Sequence, residues 1–177
     1  MTVERMPATS VHAGSRTDLL LDGLFTGMIG ALIVAIWFLI LDVAQARPFF
    51  TPALLGTVLL HGGDIAVNGA VIAPLEIAAY TAFHFLAFIA VGTLLAYLMS
   101  LFERFPIMFF VLLVLFLCLQ LGFFFLDLAL GAQLMGRLRP WTVVIANLLA
   151  AAAMAFYLWR RHPSVMKGVE KLWDHEN

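Results

Sequence analysis

Glu76, Tyr80 and His84 are the residues of this chain whose types and spacing most suggest chemistry. They follow one another at four-residue steps inside a long apolar stretch, Pro74 to Met99. If this stretch is a helix, its 3.6-residue period places the three side chains on one face. Ionisable side chains are costly in lipid and usually face a bundle interior, a cavity or a partner. The spacing therefore predicts a polar surface turned away from lipid.

Asp42, Asp127 and Asn147 are further polar residues that we expect near this surface. A carboxylate and histidine cluster of this kind could bind a divalent metal, relay protons or orient a cofactor head group. Structural roles are the alternative. Asp42 would cap a loop, Glu76 would sit at the positive end of a helix dipole, and His84 would be a neutral histidine bonded to a neighbouring helix.

His61 and Asp64 lie in the connection that precedes this helix, close enough in sequence to chelate a cation, with surface polarity as the alternative. A lone deep histidine cannot supply both axial ligands of a haem, and no Glu-x-x-His pair of a di-iron bundle occurs.

Nucleophile-elbow, phosphate-loop, zinc-protease and dinucleotide motifs are absent from the sequence. Cys118 is the single cysteine, which excludes an internal disulfide and a CxxC pair. The sequence therefore assigns no catalytic residue and leaves any metal or cofactor unknown.

The composition is that of a membrane protein. Hydrophobic residues make up 63% of the 177 residues and charged residues 12%, and the mean hydropathy is +1.01. Soluble domains are about 45 to 50% apolar and about 25% charged. The net charge of −1, with no long run of Lys or Arg, gives no basic surface, so nucleic acid is not an expected partner.

Four apolar stretches are long enough to cross a bilayer as helices, which takes about 20 residues each. They cover residues 19–43, 74–99, 107–130 and 140–159. Short connections predict an all-α polytopic protein, with the four transmembrane helices in an antiparallel bundle. The apolar segment 53–60 is too short to span and is predicted to lie at the membrane interface. This gives a transmembrane domain over 18–160, a disordered tail over 1–17 and a second tail over 161–177.

Small residues recur every four positions along the first predicted span: Gly23, Gly27, Ala31 and Ala35. Such a strip lets another helix approach closely, so we interpret it as a packing surface.

The distribution of basic residues predicts sidedness. With both tails and the 100–106 turn on one side, seven basic residues lie there and three lie on the other: Arg5, Arg16, Arg104, Arg160, Arg161, Lys167 and Lys171 against Arg47, Arg137 and Arg139. The positive-inside rule then places both termini in the cytoplasm of what we expect to be a bacterial inner-membrane protein.

The function predicted from these features is that of a non-catalytic structural or accessory subunit, which packs with itself or with a larger membrane complex. The small-residue strip and the absence of catalytic motifs favour it. Two alternatives stay open at this point. One is transport of protons, metal ions or small solutes through the polar cluster, and the other is a redox subunit that binds haem, quinone or metal.

Overall fold

The chain folds into helices throughout the part that the computed structural model describes, residues 16–62, 72–101, 108–129 and 139–161. The helices are α1 (Arg16–Ala44), α2 (Phe50–His61), α3 (Pro74–Leu101), α4 (Met108–Ala129) and α5 (Pro140–Arg161). No strand occurs in these described ranges. The predicted all-α class is therefore confirmed. Most of the two predicted tails and the connections at 63–71, 102–107 and 130–138 lie outside the described residues.

Within the described residues, three helices are long and apolar enough to cross a membrane: Thr17–Ala44 in α1, Pro74–Leu98 in α3 and Pro140–Arg161 in α5. Helix α2 is apolar but shorter. The chain is thus a membrane protein with transmembrane helices. A fourth crossing and the closed antiparallel four-helix bundle stay predictions.

The helix ends follow residues with known terminal preferences. Helices α3 and α5 begin at Pro74 and Pro140, which suit the first turn because no N–H is needed there. Helix α1 begins at residue 16 rather than at the predicted 19. The prediction followed the apolar run, whereas Asp18 in the first turn suits the positive end of the dipole and extends the helix.

Helices α1 and α3 cross at backbone contact. A Cβ atom on Gly27 would lie 2.5 Å from the Cα of Ile89, and one on Gly23 would lie 2.5 Å from the Cα of Thr93. Real Cβ atoms do not come so close, so only glycine fits at both places. Because the residue numbers of the two contacts run in opposite directions, the helices are antiparallel. The glycines of the predicted packing surface therefore lie against α3.

Helix α5 also packs against α1, through small and flexible side chains. The indole N–H of Trp37 donates a hydrogen bond to the backbone oxygen of Thr142, 3.0 Å away, and so joins the two helices. Helix α4 packs mainly against α5. It adds Leu115 to the hydrophobic core that α1, α3 and α5 also form. The core members that α5 contributes are Ala146, Ala150, Ala151, Met154 and Leu158.

Helix α2 lies mainly against the start of α3. A Cβ on Gly56 would collide with the backbone carbonyl of Glu76, so the two helix backbones touch there. Leu54, Leu55 and Val58 bury their side chains around this contact.

Candidate intramembrane site

Asp42 holds the turn between α1 and α2 and is only 2% exposed. Its Oδ2 accepts a hydrogen bond from the backbone N–H of Thr51 and its Oδ1 accepts one from the Thr51 hydroxyl, each at 2.7 Å. Ala46 and Phe49 in this turn have φ values of 54° and 64°. Such left-handed backbone costs a non-glycine residue on the order of 1–3 kcal/mol. The carboxylate is thus committed to stabilising a strained turn.

Glu76 pairs with His61 at the junction of α2 and α3. The Nε2 atom of His61 lies 3.2 Å from Oε1 of Glu76, and Glu76 is 8% exposed. The other carboxylate oxygen, Oε2, is buried without a hydrogen-bond partner. The pair joins the last turn of α2 to the first turn of α3. Asp64, the other residue of the suggested chelating pair, lies outside the described residues.

His84 faces α1 from the middle of α3. It is 9% exposed, and its Nε2 lies 3.1 Å from the backbone oxygen of Ala31. Since a carbonyl oxygen only accepts hydrogen bonds, Nε2 is the donor. Ala31 belongs to the small-residue strip and is fully buried, whereas Ala35, one turn further, is exposed.

Tyr80 stacks on His84 with ring centroids 5.6 Å apart. The two rings separate two cavities. One, of about 190 Å³, lies between α1, α2 and α3 and includes Ala35 and Thr51 in its wall. The other, of about 310 Å³, lies between α3, α4 and α5 and is closed on one side by α1 and α2. Both cavities are almost wholly apolar apart from a few polar groups.

Asn147 lines the larger cavity from α5. Its Nδ2 donates a hydrogen bond to Oε1 of Gln120 on α4, 3.1 Å away. Amide pairs of this kind join helices in an apolar medium, where neither group has water as an alternative partner.

The structure brings Tyr80, His84 and Asn147 to the wall of one cavity. Asp42 and Glu76 lie near α2 instead, each with its own partner. Asp127 belongs to α4, but its side chain is outside the described part, so its place in the cluster stays a prediction. Within the described residues, no group of three or more His, Cys, Asp or Glu side chains is arranged to hold a metal ion.

Asp22 and Arg161 form an ion pair that the sequence analysis missed. The Nε atom of Arg161 lies 2.9 Å from Oδ1 of Asp22, which is 5% exposed. The pair ties the start of α1 to the end of α5 and, with the Trp37 bond, shows that these helices are antiparallel. The signal in the sequence was an acidic residue near the start of one apolar helix, Asp22, and a basic residue at the end of another, Arg161.

The cavity wall, with few polar groups in an apolar surface, has the general character of a small-molecule site. Comparisons of the chain with protein-family models, curated proteins and solved structures found no match.

Proposed function

We propose that this chain is a non-catalytic membrane protein that acts as a structural or accessory subunit, packing with itself or with a larger membrane complex. The supporting observation is the use made of its buried polar groups. The buried carboxylate, imidazole and amide side chains each bond a neighbouring helix or turn: Asp22 with Arg161, Asp42 with Thr51, Glu76 with His61, His84 with Ala31, and Asn147 with Gln120. These bonds position helices and turns.

In this proposal α4 is the fourth crossing. Its 22 residues extend about 33 Å at 1.5 Å per residue, which suffices for a hydrocarbon core of about 30 Å. Both termini then lie on the same side, and the distribution of Lys and Arg favours the cytoplasm for that side.

The outer surface of α4 is where we expect a second copy or another subunit to bind. Helix α4 packs mainly against one neighbour, and Phe124 and Phe125 are both exposed on it. Aromatic side chains supply much of the binding energy of protein interfaces, and loss of a main contact costs tenfold or more in affinity.

Crosslinking of the protein purified in a mild detergent, followed by light scattering, tests the subunit role. We expect an oligomer or a co-purifying membrane subunit, and the double substitution Phe124→Ala, Phe125→Ala should reduce crosslinking about tenfold. The matched control is Leu86→Ala, Leu94→Ala, which truncates two exposed side chains of α3 and should leave crosslinking unchanged. A monomer with no bound subunit would contradict the proposal.

Reporter fusions at the C-terminus test the number of crossings and the sidedness. Green fluorescent protein fused after residue 177 should fluoresce, and alkaline phosphatase fused there should be inactive, because an even number of crossings returns the chain to the cytoplasm. A fusion after residue 105 should give the same result, and one after residue 68 the reverse. An active phosphatase at the C-terminus would mean that α4 does not cross or that the orientation is opposite.

A further inference from the structure

The cavity of about 310 Å³ is large enough for a small molecule. An apolar protein cavity of about 150 Å³ holds a benzene ring, so this one has room for about two fused rings or about ten carbon atoms. Its wall is apolar except where it meets the polar residues Tyr80, His84 and Asn147 and the thiol of Cys118.

The cavity opens sideways, between α3 and α4. On α3 the wall residues Phe83 and Ala87 are exposed, and on α4 so are Cys118 and Gly122. If α4 crosses the bilayer, as proposed above, this opening faces acyl chains. A molecule that enters it must therefore be soluble in lipid.

His84 determines what kind of polar group such a molecule needs. A neutral imidazole has one donor nitrogen and one acceptor nitrogen. The donor is Nε2, which is bonded to the backbone oxygen of Ala31. Nδ1 is then an acceptor, and no described residue bonds to it. Among the side chains of the described residues, Oε2 of Glu76 is the atom that is fully buried without a hydrogen-bond partner. Nδ1 of His84, which also has no partner there, is therefore not fully buried and can be reached by a ligand. A ligand that complements His84 therefore donates a hydrogen bond.

We propose that this cavity binds a lipid-soluble alcohol or phenol of about ten carbon atoms. The hydroxyl group donates a hydrogen bond to Nδ1 of His84 next to the Tyr80 ring, and the hydrocarbon part fills the space between α3, α4 and α5. Asn147, already bonded to Gln120, forms the polar edge of the far wall. The inference rests on the proposed crossing by α4.

The probe that matches this cavity is 2-naphthol, two fused rings with one hydroxyl donor. Its control is 2-methoxynaphthalene, in which the oxygen can only accept. A ligand that binds only the folded protein raises Tm, and for a chain of this size we expect 2-naphthol to raise the Tm of a fluorescent-protein fusion in detergent by about 2–4 °C. The methoxy compound should raise it by less than half as much.

Two variants separate binding in this cavity from general effects on the detergent. A Cβ on Gly122 has nothing within 4 Å, so Gly122→Phe should fold, fill the cavity and abolish the shift in Tm. His84→Phe should remove the difference between the two compounds. Ala90→Phe, at an exposed position of α3, is the control and should retain the full shift.

Equal shifts with both compounds, no shift in the wild type, or a full shift in Gly122→Phe would each overturn the proposal. If Gly122→Phe does not fold, the comparison of the two compounds in His84→Phe decides. The reporter fusions test the crossing by α4 separately. If 2-naphthol gives no shift in Tm while the fusions show the expected pattern, the result would count against the ligand site alone.

Discussion

Gly27→Leu is expected to leave almost no folded protein. The Cβ of any larger residue at this position would lie 2.5 Å from the Cα of Ile89 and 2.7 Å from its backbone nitrogen, and closer still to the carbonyl oxygen of Phe88. These are backbone atoms, which cannot move aside as a side chain can. Helices α1 and α3 would have to separate. We expect a loss above about 4 kcal/mol, at the far end of single-substitution effects and comparable with the whole stability of many proteins, about 5–15 kcal/mol.

The matched control is Gly122→Leu, the same change at a glycine where an added Cβ meets nothing within 4 Å. Size-exclusion chromatography of fluorescent fusions in mild detergent measures both variants side by side. The yield of monodisperse Gly27→Leu should fall at least tenfold, while Gly122→Leu should resemble the wild type. Equal yields would mean that the α1–α3 crossing is not as close as described.

The helices could be predicted from the sequence because their signals are local. Apolar runs of about 20 residues and the prolines at 74 and 140 fix where α3 and α5 begin. Of the predicted packing surface, Gly23 and Gly27 occur at the helical repeat and lie against α3, whereas Ala35 is exposed. A period in the sequence reports which residues share a face, and that was sufficient for these features.

The partners of the buried polar groups could not be predicted in the same way. His84 bonds to a backbone oxygen 53 positions away, and every residue has such an oxygen, so no residue type marks the partner. Glu76, Tyr80 and His84 were grouped by their four-residue spacing, and Asp42, Asp127 and Asn147 were expected near them. Neither spacing along one helix nor depth in the membrane specifies which neighbouring element a side chain meets, and for this reason Asp42 and Glu76 lie by α2 while Tyr80 and His84 line the cavity.

Helix α2 could likewise be predicted only in part from the sequence. Its apolar residues 53–60 predicted a short interfacial segment, but the pattern could not show that Gly56 contacts the backbone of Glu76. Nor could it show that the helix begins at Phe50, three residues before the apolar run. That start depends on Asp42, which accepts a hydrogen bond from the hydroxyl group of Thr51, nine residues further along the chain.

Thr51→Val should therefore loosen α2 from the rest of the protein. Valine has nearly the shape of threonine but lacks the hydroxyl that donates to Oδ1 of Asp42 at 2.7 Å. The backbone N–H bond to Oδ2 remains, so one of two hydrogen bonds to a buried carboxylate is lost. Hydrogen bonds to charged groups contribute about 1.5–3 kcal/mol, and we expect a loss of that size in thermal or denaturant unfolding.

The control variant is Thr51→Ser, which keeps the hydroxyl and should lose less than about 1 kcal/mol, the usual size of a small change in packing. Asp42→Asn combined with each substitution completes a double-mutant cycle, and a coupling of about 1 kcal/mol or more between the two positions is expected. If Thr51→Val and Thr51→Ser were equally stable, the hydroxyl bond to Asp42 would not be stabilising the turn. The left-handed backbone at Phe49 would then depend on the remaining N–H bond to Oδ2 and on the contact of α2 with Glu76.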